Sequence, residues 1–317
     1  MRITGTRLLL TGIGAAAIVA GGTPAVAALP PTTITLVNVA TDGTPGNGAV
    51  GDAALSANAR YVAFASGSTN LVPGDTNQAT DIFVRDTVAG TTTLVSGGPD
   101  GEPANDFAGY YASISANGRY VAFTSSATNL VPDDLNGWRD IFVRDMRTGT
   151  TTRASVFTGG EEIAGPSDGA TISADGRYVA FTAFAANIPG PDGTRFAGQD
   201  AFVHDMVSGA TTRVSVPVAG SPAQSTFQAA ISADGRFVAF SATGGMTGDG
   251  GGSGIFVRDL NAGTTVRASV PSTGDTFPDA TNPSISADGT RVAFESYDPY
   301  VPADTNGTSE PGAIQGD

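Results

Sequence analysis

The sequence predicts an all-β fold assembled from copies of one four-stranded unit, and three observations carry that prediction. The first is repetition. ISADGRYVAF at Ile172–Phe181 returns as LSANARYVAF at Leu55–Phe64, ISANGRYVAF at Ile114–Phe123, ISADGRFVAF at Ile231–Phe240 and ISADGTRVAF at Ile285–Phe294, so the closing Phe recurs in steps of 59, 58, 59 and 54 residues. A period in this range marks one supersecondary unit copied and stacked. The second is a hairpin signal in the copies, an Asn-Gly or Asp-Gly pair between two alternating apolar runs. The third is that nothing within the unit has helical periodicity.

The unit reads as four strands. Strand a is an alternation such as Ala112-Ser113-Ile114-Ser115, and after the tight turn strand b is Tyr-Val-Ala-Phe. A polar loop, SGSTNLVPGDTNQAT in the first copy, leads to strand c: Asp81–Asp86, Asp140–Asp145, Asp200–Asp205 and Ile255–Asp259. A short turn ending in Gly precedes a Thr-rich strand d such as Thr151–Val156, a composition that suits a pleated surface. A connector rich in Gly, Pro and Ser returns to the next strand a. Four antiparallel strands, copied about five times, form the blade pattern of a β-propeller. Blades are expected at about 52–96, 111–157, 169–217, 228–271 and 283–317, the last joined by residues 32–39.

The two ends of the chain complete that expectation. Ile34–Val39 looks like an orphan strand d, and supplying it to the last blade would close the ring and remove an exposed sheet edge. Thr308–Asp317 stands in the place of strand c but carries Pro311 and Gly312 and lacks Phe-Val-Arg-Asp, so the last blade is expected to be incomplete. Residues 1–27 have the layout of a secretory signal peptide: Arg2 and Arg7, an apolar run from Leu8 to about Ala20, and Ala25-Val26-Ala27 as a cleavage site. The expectation is a secreted protein, extracellular or associated with the cell wall, and monomeric. The run is too short to span a bilayer comfortably, and a chain with no Cys has no disulfides to stabilise it.

Charge narrows the partners. All sixteen basic residues are Arg, and the formal net charge is −14. An acidic surface repels phosphate backbones and anionic membranes, which leaves cations, proteins and neutral polymers such as carbohydrates.

S-x-D-G-R-x-V-A-F, followed by D-I-F-V-R-D and T-G, resembles the TolB-type propeller repeat, the WD-like family of bacterial secreted and periplasmic proteins. The resemblance covers almost all of the chain beyond residue 27. There is no Gly-His or Trp-Asp pair of a true WD repeat, and the single Trp is Trp138. The resemblance implies fold rather than function, because such propellers serve as protein-binding platforms, lyase scaffolds and peptidase lids.

Candidate chemistry lies where the copies differ. The b–c and d–a connections are long and emerge on one face, the default binding surface. Two b–c loops carry Asp75-x-Asn77-x-x-x-Asp81 and Asp134-x-Asn136-x-x-x-Asp140. Such oxygens either form Asx-turns or gather around a hard cation such as calcium, the one cofactor the sequence leaves open. The recurring Arg85, Arg144 and Arg258, with Asp86, Asp145 and Asp259, are expected to pair structurally or cap turns. His204, the only His, replaces a blade Arg, and one His without a G-x-S-x-G elbow or any Cys offers neither a nucleophile triad nor a zinc site. Glycoside hydrolysis would need two facing carboxylates, for which Glu161 and Glu162 in a d–a loop and Glu295 in the last strand b are candidates. Tyr110, Tyr111, Trp138 and Phe196 lie in or beside long loops and are candidates to stack on sugars or anchor a protein. The expectation is a binding module without catalytic residues, the alternative a carbohydrate-active hydrolase or lyase assisted by calcium.

Overall fold

The computed structural model describes residues 35–185, 198–218, 225–248, 252–271 and 279–296, and these form strands and turns with no helix. Blade 1 comprises β1 (Val50–Leu55), β2 (Tyr61–Ser66), β3 (Asp81–Asp86) and β4 (Thr91–Leu94). Blade 2 comprises β5 (Ala108–Ile114), β6 (Tyr120–Ser125), β7 (Asp140–Asp145) and β8 (Thr150–Arg153). Blade 3 comprises β9 (Ser167–Ile172), β10 (Tyr178–Phe184), β11 (Gln199–Asp205) and β12 (Thr211–Arg213). Blade 4 comprises β13 (Thr226–Ile231), β14 (Phe237–Ala242), β15 (Gly254–Asp259) and β16 (Thr264–Arg267), and the last blade shows β17 (Ala280–Ile285) and β18 (Val292–Ser296). The full blades are antiparallel meanders in chain order. Their first strands carry a register shift, as between Ala108 and Ala112, and stack blade against blade as an inner row.

Small and large side chains on opposite faces of strand b explain the stacking. In blade 2, Phe123 sits opposite Phe142 with ring centroids 5.9 Å apart, and the pair packs in one core with Ala63, Ala65, Ile82 and Val84 of blade 1. Phe181 and Phe202 meet Ala122, Ile141 and Val143 in the same way, and Phe240 and Phe256 meet Ala180, Ala201 and Val203. The core is therefore a series of layers between blades. Each fully buried Phe is worth roughly 1.5–3 kcal/mol of burial free energy, so the layers outweigh any one surface pair.

The hairpin turns fasten the same junctions. Ala57 N–H donates to Ala116 O, Ala116 to Ala174 O, Ala174 to Ala233 O and Ala233 to Ala287 O, one bond of 2.9–3.0 Å per junction. Within each turn a Ser hydroxyl and an Asn or Asp carbonyl or carboxylate oxygen hold the loop, as Ser115 Oγ to Asn117 Oδ1 at 2.9 Å.

Closure by the N-terminal strand is not seen: no ladder among the described residues joins β18 to residues 35–39, and residues 32–34 and 297–317 lie outside the described residues. Val39 nevertheless sits on blade 1 as the end of a strand d should. It bridges Pro45 as Gly97 bridges Pro103 and Val156 bridges Glu162, and its carbonyl accepts the Thr92 hydroxyl as those of Gly97 and Val156 accept Thr151 and Thr211. The segment 1–27 also lies outside the described residues.

Candidate functional site

The long β2–β3 and β4–β5 connections and their equivalents share one face, and the short turns share the other. On the long-loop face Asn77 Oδ1 accepts the N–H of Ala79 and Asn136 Oδ1 that of Trp138, which makes both residues Asx-turn builders. Their Nδ2 groups tie the loop down. Asn77 donates to Asp81 Oδ2 and to Ala104 O, each at 2.7 Å, and Asn136 donates to Asp140 Oδ2 at 3.1 Å and Ile163 O at 2.9 Å. Asp81 and Asp140 also accept the hydroxyls of Ser96 and Ser155. Of the two roles left open by the sequence, the Asn side chains take the turn role, and only the carboxylates are left to face a cation.

Blade 2 brings a third carboxylate to this loop. Oxygens of Asp134, Asp140 and Glu162 lie within 4.8 Å of one another. Arg153, at the end of β8, stands among them: Nη1 bonds Glu162 and lies 3.5 Å from Asp134 Oδ1, while Nη2 donates to Asp133 O at 2.8 Å. Burial pushes the carboxyls of Asp134 and Asp140 up to about 6, although Arg153 pulls both down. Blade 3 repeats the pairing with Arg213 Nη2 2.6 Å from Asp200 Oδ1, and in blade 4 Arg267 donates to the carbonyls of Gly252 and Ser253.

Blade 1 lacks that arginine. Leu94 occupies its register, opposite Phe83 as Arg153 is opposite Phe142. Burial pushes Asp81 up to about 6, with a further push from the charge of Asp75, and burial raises Asp75 as well. Oδ1 of Asp75 is buried without a hydrogen-bond partner.

The remaining candidates separate. Trp138 is 52% exposed, beside the 85% exposed Leu135 in the same loop, and Glu161 is exposed in the facing β8–β9 connection. Glu162, its neighbour and fellow candidate for glycoside hydrolysis, is held by Arg153. Tyr110 and Tyr111 lie within β5, not in a loop. Tyr111 is 61% exposed at the register shift of that inner strand, whereas the side chain of Tyr110 and all of Phe196 lie outside the described residues.

The strand-c charges are structural, with a division of labour that their adjacency in sequence hides. Arg144 Nη1 donates to Gly97 O of the preceding blade at 3.0 Å and to Thr151 Oγ1 at 2.9 Å, and Arg85 makes the same reach to Ala40 O at 3.2 Å. The neighbouring aspartates pair instead with the hairpin arginines: Arg60–Asp86, Arg119–Asp145, Arg177–Asp205 and Arg236–Asp259, at 2.6–2.8 Å. His204 takes the strand-c arginine position of blade 3, its Nδ1 2.8 Å from Thr211 Oγ1, and burial lowers its pKa. Arg153 was missed as a site residue; the signal for it was an arginine recurring in strand d of blades 2, 3 and 4 with Leu94 as the exception.

No protein-family model and no curated sequence matches the chain. Solved structures do. The putative TolB from Agrobacterium tumefaciens superposes with a TM-score of 0.50 at 18% identity, over 80% of this chain and 72% of that one. TolB from Acinetobacter baumannii matches at TM-score 0.45 and 20% identity over 78% of this chain; the chain spans about half, 52%, of that protein's length. An oligogalacturonate lyase in complex with manganese matches at TM-score 0.49 and 13% identity, over 80% and 63%. Together with the meander blades and their layered cores, the Agrobacterium match identifies the fold: the chain is a β-propeller similar to that of TolB.

Proposed function

We propose that the protein is a secreted, monomeric binding module that presents its long-loop face to a carbohydrate or protein ligand. The observation that carries this reading is the contrast on that face between engaged acids and free apolar groups. Glu162 and Asp200 are bonded to arginines, Asp140 to the fully buried Ser155, and His204 to Thr211, whose hydroxyl is given to Val156 O, so these described acids and the imidazole are held in structural bonds. Trp138 and Leu135 remain exposed in the β6–β7 connection. An exposed indole suits stacking on a sugar ring or insertion into a partner's pocket. Binding of the full chain to arrayed soluble polysaccharides and to envelope proteins is the test. Trp138→Ala is expected to weaken capture at least about tenfold, as loss of an interface anchor does, with thermal unfolding unchanged. Capture indifferent to Trp138 would remove this reading.

A second reading has one observation in its favour, the convergence of Asp134, Asp140 and Glu162 with two carboxyls raised to about 6. It is a carbohydrate-active hydrolase or lyase in which those acids act directly or hold calcium. Release of reducing ends or unsaturated sugars, abolished by Glu162→Gln, would select it. Export is tested by sequencing the N-terminus of the mature protein, expected at Ala28.

A further inference from the structure

The blades carry the same loop with and without an internal cation. Leu94, Arg153 and Arg213 hold equivalent places in the last strand of blades 1, 2 and 3, each opposite the strand-c Phe. In blades 2 and 3 the guanidinium lies against the loop carboxylates, Arg153 against Asp134 and Glu162, and Arg213 against Asp200. A positive charge therefore belongs to this point of the blade. Blade 1 keeps the two aspartates, the bridging Asn77 and the serine that holds Asp81, yet supplies an uncharged Leu94 and has Pro103 where blade 2 has Glu162. Asp75 is 7% exposed and its Oδ1 has no hydrogen-bond partner; Asp134 Oδ1 of blade 2 has none either, but there the Arg153 Nη1 stands 3.5 Å away, and blade 1 has Leu94 in that register. A buried carboxylate oxygen without a partner, beside a second carboxylate, is costly unless neutralised from outside.

We propose that blade 1 binds a hard divalent cation of the calcium class between Asp75 and Asp81, in the place that an arginine side chain fills in blade 2. Two carboxylates supply the charge such an ion needs, and its remaining coordination positions go to backbone carbonyls and water, which calcium accepts readily. The three-carboxylate cluster of blade 2 is the poorer site, because the Arg153 guanidinium already stands among its oxygens and fills the place an ion would take. This assignment deepens the calcium part of the sequence reading, and it is independent of which ligand the long-loop face captures.

The test is calorimetric titration of calcium into the full chain after EDTA treatment and desalting. One ion per chain is expected, with half-saturation on the order of 10⁻⁴ to 10⁻³ M, the range of extracellular calcium modules. Asp75→Asn and Leu94→Arg are each expected to abolish the heat, the second because it restores the arginine of the other blades. Leu94→Arg should unfold in EDTA at or above the wild-type temperature, which separates lost binding from a lost fold. Asp134→Asn should leave the stoichiometry at one. No heat from the wild-type chain across that range overturns the site. Binding that survives Leu94→Arg, or that disappears with Asp134→Asn, overturns its assignment to blade 1. Polysaccharide or protein capture is measured separately, so failure of the ion site is distinguishable from failure of the ligand reading.

Discussion

The ring of Tyr61 in blade 1 lies flat on Gly118 in the hairpin turn of blade 2, so close that a Cβ at 118 would stand 2.1 Å from Tyr61 Cδ2. The contact recurs as Tyr120 on Gly176, Tyr178 on Gly235 and Phe237 on Gly289. Each of these glycines also has φ between 71° and 81°, so the position excludes a side chain twice, by backbone conformation and by space. Gly118→Ala is expected to cost roughly 2–4 kcal/mol, the sum of a left-handed alanine and an overpacked junction. Urea unfolding of the variant should show the loss as a lower midpoint with the same slope.

The first blade departs from this rule, and the departure gives a second prediction. Ala59 stands where the later turns have Gly, at φ 55°, and among the described residues no earlier blade lays an aromatic ring on it. The corresponding position of the last blade is Arg291 rather than Tyr or Phe, so both halves of a closing contact are missing. Ala59→Gly should therefore stabilise the chain by about 0.5–1 kcal/mol, because it relieves the left-handed strain at a place where glycine's freedom costs less than the strain. An unchanged or lower unfolding midpoint would show that the Ala59 turn is not strained.

These two turns show what the sequence made legible. The hairpin could be read because Asn-Gly and Asp-Gly answer a local need for positive φ, and the blade could be read because the unit recurs. The packing of Tyr61 on Gly118 could not, since it joins residues one whole unit apart and each already had a local reason to be there. The Arg119–Asp145 pair was hidden similarly: recurrence marked both residues, but the nearer Arg144 competed as partner, and it turns out to reach back to Gly97. At the candidate site the Asp-x-Asn loops were visible as a pattern. The approach of Glu162 and Arg153 to one of them was not, because it comes from a different connection and a different strand.

The two classes of aspartate predict opposite arms of a stability profile. Asp140 is raised to about 6 in the fold from an ordinary 3.8. It binds its proton more tightly folded than unfolded, so its contribution grows as pH falls from about 6 towards 3.8 and its penalty is fully present above that window. Asp145, held to about 2 mainly by Arg119, and Asp259, held to about 2 mainly by Arg236, act in reverse: their stabilisation is complete above 3.8 and is lost as pH falls towards 2. Thermal unfolding in metal-free buffer should therefore be most resistant between about pH 4 and 5. Asp140→Asn should make the fall between pH 4 and 6.5 shallower, the remainder coming from Asp81 and Asp134, and leave the acid arm unchanged. A profile that rises steadily to pH 7 in both proteins would contradict the assignment.

Substitution of His204, the only histidine, separates a catalytic role from a structural one. In blades 1 and 2 the equivalent arginines donate to the Thr of strand d and to a carbonyl of the preceding segment, Arg144 to Thr151 and to Gly97 O. In blade 3 the imidazole reaches the corresponding Thr211, and it is Thr211, not the imidazole, that bonds Val156 O. One inter-blade bond is thereby missing at this junction. His204→Arg should add it and raise stability by about 1 kcal/mol, the net worth of one such bond, or roughly 2 °C in a chain of this size. Burial also lowers the His204 pKa, so the wild-type chain favours neutral imidazole and loses that preference's contribution as pH falls through 6.5 and below. The variant should lose that part of the acid sensitivity as well. A stabilised variant that retains ligand capture makes His204 a substituted blade arginine; loss of capture at unchanged stability would return it to the functional residues.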